Sequence, residues 1–93
     1  GRRSGEAWGD WVRPYLDDRY RNSPKTHRSY TAAWELLRVY LHKEGVHVPA
    51  ALNFNHVVGY MHWRAAQRRH SGKLISRNTA IQDLRTLSLV MRE

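Results

Sequence analysis

Cysteine is absent from this 93-residue chain, and proline and glycine are few, with three and six residues respectively. The lack of cysteine excludes disulfide bonds, thiolate zinc sites and cysteine nucleophiles. No apolar run approaches the roughly 20 residues that a membrane-spanning helix needs. The composition therefore favours one small domain of regular secondary structure, with no covalent cross-link and no contact with a membrane.

Acidic residues are also scarce, and they are unevenly distributed. Lysine and arginine number 16 against eight aspartates and glutamates, which gives a formal net charge of +8. No acidic residue occurs between Gly45 and Gln82, and most of the cations are arginines, whose planar guanidinium suits phosphate and guanine. The charge pattern indicates a polyanionic partner, with nucleic acid as the first candidate. A generally basic surface without such a partner is the alternative.

The sequence contains no recognisable catalytic or metal-binding motif. Its six histidines include no pair spaced by four residues on one helix, and neither GxxxxGK nor GxSxG occurs. The adjacent Asp17 and Asp18 are more typical of a solvated helix surface than of a metal site. We therefore predict no enzymatic activity, no cofactor and no metal for this chain.

Hydrophobic periodicity predicts four helices and no strand, which defines an all-α bundle. The four helical patterns lie near residues 7–20, 24–44, 54–69 and 76–92. The predicted core combines aromatic and aliphatic side chains from all four: Trp11, Tyr30, Trp34, Leu37, Val58, Met61, Ile81, Leu84 and Leu87. Residues 1–5 are interpreted as a disordered terminus or an expression remnant, and residues 6–93 as a single domain.

Local signals refine the second and third helices. Ser23 is suited to cap the second helix, with Pro24 at its first position, and Gly45 is suited to end it. Asn53 or Asn55 caps the third helix. The predicted buried face of that helix comprises Phe54, Val57, Val58, Met61 and Ala65, with Tyr60 and Trp63 half exposed beside it.

Two helix starts combine backbone donors with basic side chains. Segments 23–26 and 76–79 share an S-x-x-T pattern, and each carries lysine or arginine in its first turn. Unpaired N–H groups and the helix dipole favour an anion at such a terminus. On the fourth helix Asn78, Gln82 and Arg85 share a face, and these residue types pair with adenine and guanine in the major groove. An ordinary solvated helix surface is an equally good interpretation of that face.

Two ordered motifs carry a resemblance to a known family. SPKTHRSYxxxWxxLxxYL begins at Ser23 and SRNTAIQDLRTL begins at Ser76, with a glycine, a loop and a VVGYM helix between them. Together they resemble the core-binding domain of tyrosine recombinases, the phage-integrase family, over about residues 8–92. The chain departs from the family pattern at Ala80, where isoleucine is usual, and has Ile81 one position later.

The resemblance implies a four-helix, SAM-like bundle that forms one half of a clamp around duplex DNA. The helices at 24–44 and 77–92 would face the major groove. The implied DNA contacts are Lys25, Thr26, His27, Arg28, Arg77, Asn78 and Gln82. Position on the helical wheel adds Arg85 to this set. Four basic residues of the acid-free stretch are predicted as secondary phosphate contacts: Arg64, Arg68, Arg69 and Lys73.

In that family the catalytic residues lie in a separate C-terminal domain. The resemblance therefore implies a DNA-binding fragment of a larger recombinase, from a bacterium, phage or mobile element, acting in the cytoplasm at the nucleoid. Its implied partners are double-stranded DNA, the catalytic domain of the same protein and other protomers on the DNA. Two other hypotheses stay open: a free-standing nucleic-acid-binding helical module, and a helical protein-interaction domain with incidental basicity. Binding to a protein partner would lack the steep salt dependence of phosphate contacts.

Overall fold

The computed structural model of the protein describes residues 3–67 and 77–93, with Arg77 described by its backbone. These residues form four α-helices: α1 (Trp8–Arg19), α2 (Pro24–Lys43), α3 (Phe54–Ala65) and α4 (Arg77–Met91). A short 3-10 turn, Pro49–Ala51, precedes α3. The described part of the chain contains no strand, which confirms the predicted all-α bundle. None of the helices in these residues combines the length and hydropathy required to cross a bilayer.

The ends of α2 follow from its flanking residues. Pro24 occupies the first turn, where its missing N–H leaves no hydrogen bond unmade. The side chain of Ser23, the predicted cap, forms no capping hydrogen bond, so the proline sets the helix start. At the other end Gly45 adopts a φ of +74°, which glycine tolerates without a steric penalty. The N–H of Val46 then donates to the carbonyl of Leu41 at 2.8 Å and closes the helix.

The start of α3 is fixed by a reciprocal pair of hydrogen bonds. The N–H of His56 donates to Oδ1 of Asn53 at 3.2 Å, and the N–H of Asn53 donates to Nδ1 of His56 at 3.0 Å. Two backbone donors that would otherwise lack partners are satisfied in this way. The structure therefore selects Asn53 over Asn55 as the cap. The helix ends at Ala65, earlier than the predicted residue 69.

The hydrophobic core gathers around α2, which packs against each of the other three helices. Of the predicted core residues, Trp11, Trp34, Leu37 and Leu87 are buried. The other predicted members on α2 and α4 are partly buried: Tyr30, Ile81 and Leu84. Further buried side chains come from α1 and from the segment after α2: Trp8, Val12, Leu16 and Val46. The core thus joins all four helices into one hydrophobic cluster.

The predicted buried face of α3 is only partly correct, because Val57, Met61 and Ala65 are partly buried and the other two members are exposed. Phe54 and Val58 are 76% and 37% exposed, whereas Tyr60, expected at the margin, is 1% exposed. The ring centroid of Tyr40 on α2 lies 5.5 Å from those of both Tyr60 and Trp63. Tyr60 is buried and Trp63 is partly buried against the hydrophobic cluster, so two large rings take the place expected for Phe54 and Val58. The helix is rotated accordingly.

Gly59 allows α3 to come this close to α2. A Cβ atom at position 59 would collide with the hydroxyl oxygen of Tyr40, and its next neighbour would be Cζ of the same ring at 3.4 Å. Since Tyr40 is itself only 3% exposed, its ring has little room to move away. The missing side chain at Gly59 is therefore part of the α2–α3 contact.

Residues 3–5 belong to the segment predicted as a disordered terminus, and in the structure they make defined contacts. The N–H of Glu6 donates to the carbonyl of Arg3 at 3.0 Å, and the N–H of Ala50 donates to the carbonyl of Ser4 at 2.8 Å. The guanidinium of Arg3 lies 5.1 Å from the centroid of the Trp11 ring. These contacts join the start of the described chain to α1 and to the turn before α3.

Candidate nucleic-acid interface

The amino-terminal half of α2 forms a ridge between two grooves. The α1–α2 groove encloses about 650 Å³, and its lining includes Arg13, Asp17, Tyr20, His27, Arg28 and Thr31. The α2–α4 groove encloses about 530 Å³, and its lining includes Lys25, Thr26, Arg64, Gln82, Asp83 and Arg85. Ala32 contributes to the walls of both. The two grooves are therefore adjacent sites of similar size with one helix in common.

The four predicted contacts at the start of α2 divide between these grooves. Lys25 and Thr26 line the α2–α4 groove, whereas His27 and Arg28 line the α1–α2 groove. A helix with 3.6 residues per turn cannot present four consecutive side chains to one surface. The structure brings Lys25 and Thr26 together with Gln82 and Arg85, the predicted contacts on α4. His27 and Arg28 face the α1–α2 groove instead.

Two cations of the α2–α4 groove are free of internal ion pairs. Lys25 and Arg85 are exposed, and neither forms a salt bridge with any other residue that the structure describes. Gln82, on the same lining, is also exposed. Asn78 is exposed one helical turn before Gln82, so the two amides share a face of α4. This surface can offer an anion two positive groups and offer a planar ligand two amides.

Several predicted contacts cannot be placed. Arg68, Arg69 and Lys73 lie outside the described residues, and so does the side chain of Arg77. Ser76, which begins the second S-x-x-T segment, lies outside them as well.

The floor of the α2–α4 groove is an internal ion pair. Asp83, 7% exposed, accepts a hydrogen bond from the hydroxyl of Tyr60 at 2.7 Å and another from Nε of Arg64 at 2.9 Å. Arg64 also donates from Nη1 to Gln67 at 2.9 Å. Burial, and then the hydrogen bond to Asp83, raise the pKa of Tyr60 far above its usual range. The network ties α3 to α4, and its members Arg64 and Asp83 share the groove lining with Gln82 and Arg85.

This network gives Arg64 a structural contact that sequence reasoning missed. Arg64 was expected to bind phosphate, but its side chain is only 13% exposed and is held by Asp83. The two residues are 19 positions apart, and Tyr60 and Asp83 are 23 apart, so no local spacing could reveal the network. The one signal available was that Asp83 is the first acidic residue after a long acid-free stretch.

Arg13 and His27 on the lining of the α1–α2 groove contact carboxylates, whereas the exposed Arg28 on the same lining forms no salt bridge with any residue that the structure describes. Nε2 of His27 lies 2.7 Å from Oδ1 of Asp17, and Nε of Arg13 donates to the same oxygen at 3.1 Å. Arg13 also reaches Glu35 at 3.7 Å. The hydrogen bonds from His27 and from Arg13 lower the pKa of Asp17. Because an ionised carboxylate only accepts, Nε2 of His27 carries the proton in this contact.

Among the described residues, no three histidine, aspartate or glutamate side chains come close enough together to hold a metal ion. Comparison of the chain with family models, with curated proteins and with solved structures finds no match. The resemblance to recombinase core-binding domains therefore rests on the two sequence motifs and on an all-helical fold. The α2–α4 groove is the candidate site that the geometry supports best.

Proposed function

We propose that this chain is a DNA-binding domain that grips duplex DNA along the α2–α4 groove, in the manner of a tyrosine-recombinase core-binding domain. One observation carries the proposal: Lys25 and Thr26 from α2 line the same groove as Gln82 and Arg85 from α4. These residues were selected from separate motifs, and the fold brings them to one exposed surface. Unpaired cations beside exposed amides are the combination that duplex recognition requires.

The roles follow from the chemistry of each group. Lys25 and Arg85 neutralise backbone phosphates, which positions the domain on the duplex. Asn78 and Gln82 present amides that can pair with adenine through two hydrogen bonds. A helix with its side chains is about 10–12 Å across and the major groove is about 12 Å wide, so the exposed face of α4 fits there.

In this proposal the domain acts as part of a larger recombinase, in the cytoplasm at the nucleoid. A catalytic domain of the same protein and other protomers on the DNA complete the clamp. In this proposal the chain itself neither cleaves nor joins DNA, because the resemblance assigns the catalytic residues to the separate C-terminal domain. Trapping of the chain covalently on a nicked duplex would contradict that assignment.

The main experiment measures duplex binding by fluorescence anisotropy between about 50 and 200 mM salt. We expect a dissociation constant near the non-specific range of about 10⁻⁴–10⁻⁶ M and a log–log salt slope of about −3 to −6. Lys25→Ala should flatten the slope by about one, because one fewer counterion is released. The matched control is Lys43→Ala, which removes the same side chain from the exposed far end of α2 and should leave the slope unchanged.

Base recognition is tested separately. Gln82→Ala and Asn78→Ala should keep the salt slope and reduce discrimination between DNA sequences by about 1–3 kcal/mol where a bidentate contact is lost. If both variants instead flatten the slope, α4 contacts only the backbone. Binding that is indifferent to salt would overturn the proposal in favour of a protein partner, and a preference for single strands would favour a free-standing nucleic-acid module.

A further inference from the structure

The floor of the α2–α4 groove contains a third cation that is not free. Arg64 lines the groove together with Lys25 and Arg85, but its Nε donates to Asp83 at 2.9 Å. The side chains of Arg64 and Asp83 are only 13% and 10% exposed. The charge at the floor is thus cancelled by a neighbour, whereas the two exposed cations are uncompensated.

Asp83 is held in the position that restrains Arg64. The hydroxyl of Tyr60 donates to the same oxygen, Oδ2, that accepts from Arg64, at 2.7 Å. Tyr60 is 1% exposed, so this second donor is fixed by the core. A buried carboxylate with two donors is a strong local partner, and an incoming phosphate would have to compete with it for the guanidinium.

We propose that Asp83 sets the anion affinity of the α2–α4 groove by withholding Arg64 from phosphate. This inference rests on the proposed function of the groove as a DNA contact. In the native chain Lys25 and Arg85 are the described cations through which the groove neutralises phosphates. Removal of the Asp83 charge makes Arg64 a third phosphate ligand, so the carboxylate limits how strongly the groove binds every duplex, whatever its sequence.

The test uses Asp83→Asn, which keeps the shape of the side chain and an oxygen for Tyr60. We expect the salt slope for duplex binding to steepen by about one and the affinity at 0.15 M salt to rise about fivefold, since one more counterion is released. Asp10→Asn, at an exposed position of α1, is the matched control for the change in net charge. It should alter binding far less.

The double variant Arg64→Gln with Asp83→Asn separates two causes. If Arg64 is the ligand, the double variant returns to the native slope and affinity. If the gain persists without Arg64, then Asp83 acted only by repelling phosphate, and the proposed restraint of Arg64 is wrong. Thermal melts verify that both variants fold cooperatively.

A measurement on the unmodified chain keeps the inference testable if Asp83→Asn does not fold. The Nε–H resonance of Arg64 should stay unchanged when duplex DNA is added, while the amides near Lys25 and Arg85 shift. A shift of the Arg64 resonance in the native chain on addition of DNA would show that Asp83 does not withhold it, which overturns the inference.

Titration with inorganic tripolyphosphate distinguishes this inference from the proposed function. Stronger tripolyphosphate binding by Asp83→Asn, with no duplex binding by any form, would leave the role of Asp83 standing and reject the DNA proposal. A flattened salt slope in Lys25→Ala, with Asp83→Asn indistinguishable from Asp10→Asn, would support the DNA proposal and reject the role of Asp83.

Discussion

The two grooves beside α2 have similar volumes and share a wall, but they differ in how many of their basic side chains are paired with carboxylates. In the α1–α2 groove Arg13 and His27 both contact the carboxylate of Asp17, and Arg28 is the one basic side chain on the lining without an ion-pair partner among the described residues. In the α2–α4 groove Lys25 and Arg85 have no ion-pair partner among the described residues. A net charge counts both kinds of cation equally, and only the fold shows which of them are available to a ligand.

The difference has its origin in where acidic residues occur along the chain. Helix α1 contributes Asp17 to the α1–α2 groove, where it contacts Arg13, and Asp18, which pairs with Arg21 of the groove lining. Part of the α2–α4 groove is formed by a segment with no acidic residue between Gly45 and Gln82. Asp83 is the first carboxylate that follows this segment. That single carboxylate is used by Arg64, which leaves the exposed cations of the α2–α4 groove uncompensated.

The largest expected effect comes from disrupting the helix that both grooves share. Trp34 on α2 is 2% exposed, and its ring centroid lies 5.4 Å from that of Trp8. Trp34→Ala should lower the free energy of unfolding by about 3–5 kcal/mol, out of a total of about 5–15 kcal/mol for a domain. Chemical denaturation followed by circular dichroism measures this loss.

Val39→Ala is the matched control, because Val39 lies on the same helix and is 49% exposed. It should change the free energy of unfolding by no more than about 0.5 kcal/mol. Equal midpoints for the two variants would contradict the packing of α2 described above. Loss of DNA binding by Trp34→Ala in proportion to its unfolded fraction would assign the defect to folding rather than to one groove.

Alkaline pH should act on the network beneath the α2–α4 groove. The pKa of Tyr60 is raised in the folded chain, so the unfolded chain loses that proton first, near pH 10. The contribution of Tyr60 to the free energy of unfolding is therefore complete below about pH 10. Above that pH it falls by about 1.4 kcal/mol per pH unit. Urea denaturation between pH 9 and about 11 tests this slope.

Tyr60→Phe isolates the contribution of this hydroxyl. The variant should be less stable at neutral pH by about 1–3 kcal/mol, since Asp83 loses a buried donor, and it should show a shallower decline in alkali. The shifts to higher pKa at Tyr15, Tyr20 and Tyr40, each caused first by burial, would remain. An unchanged alkaline slope in Tyr60→Phe would refute the assignment to Tyr60.

The smallest effect is expected on the acid side, in the α1–α2 groove. His27 and Arg13 lower the pKa of Asp17, so their stabilising contacts are present at neutral pH and are lost as the pH falls through that lowered value. The effect on stability is small because the Asp17 side chain is 52% exposed and solvent screens it. Carbon-detected NMR titration of the Asp17 carboxylate should show the lowered pKa in the native chain. It should show a higher value in His27→Ala, and equal values in the two proteins would reject the contact.

Much of the fold could be predicted from local pattern. The bounds of α1 and α2 follow from hydrophobic spacing, and Pro24 and Gly45 mark the ends of α2. The orientation of α3 could not be predicted in this way, because hydrophobicity favours burial of Phe54 and Val58. Burial of Tyr60 depends on a hydrogen-bond partner on another helix, and such a partner leaves no periodic signal.

The candidate site was predictable to a similar degree. Residue type and helical spacing indicated Lys25, Gln82 and Arg85, which share a groove in the structure. The engagement of His27 by Asp17 and of Arg64 by Asp83 depends on contacts between helices. Such contacts decide whether a cation is free, and they require the tertiary structure.

The close approach at Gly59 has a genetic consequence. Only the hydroxyl oxygen of Tyr40 would clash with a methyl group at position 59, since the next ring atom would lie at an ordinary contact distance of 3.4 Å. Alanine at position 59 is therefore harmful beside tyrosine at position 40 and acceptable beside phenylalanine. The two substitutions are therefore epistatic. Tyr40→Phe must come first for Gly59→Ala to be tolerated, and the reverse order passes through a destabilised chain.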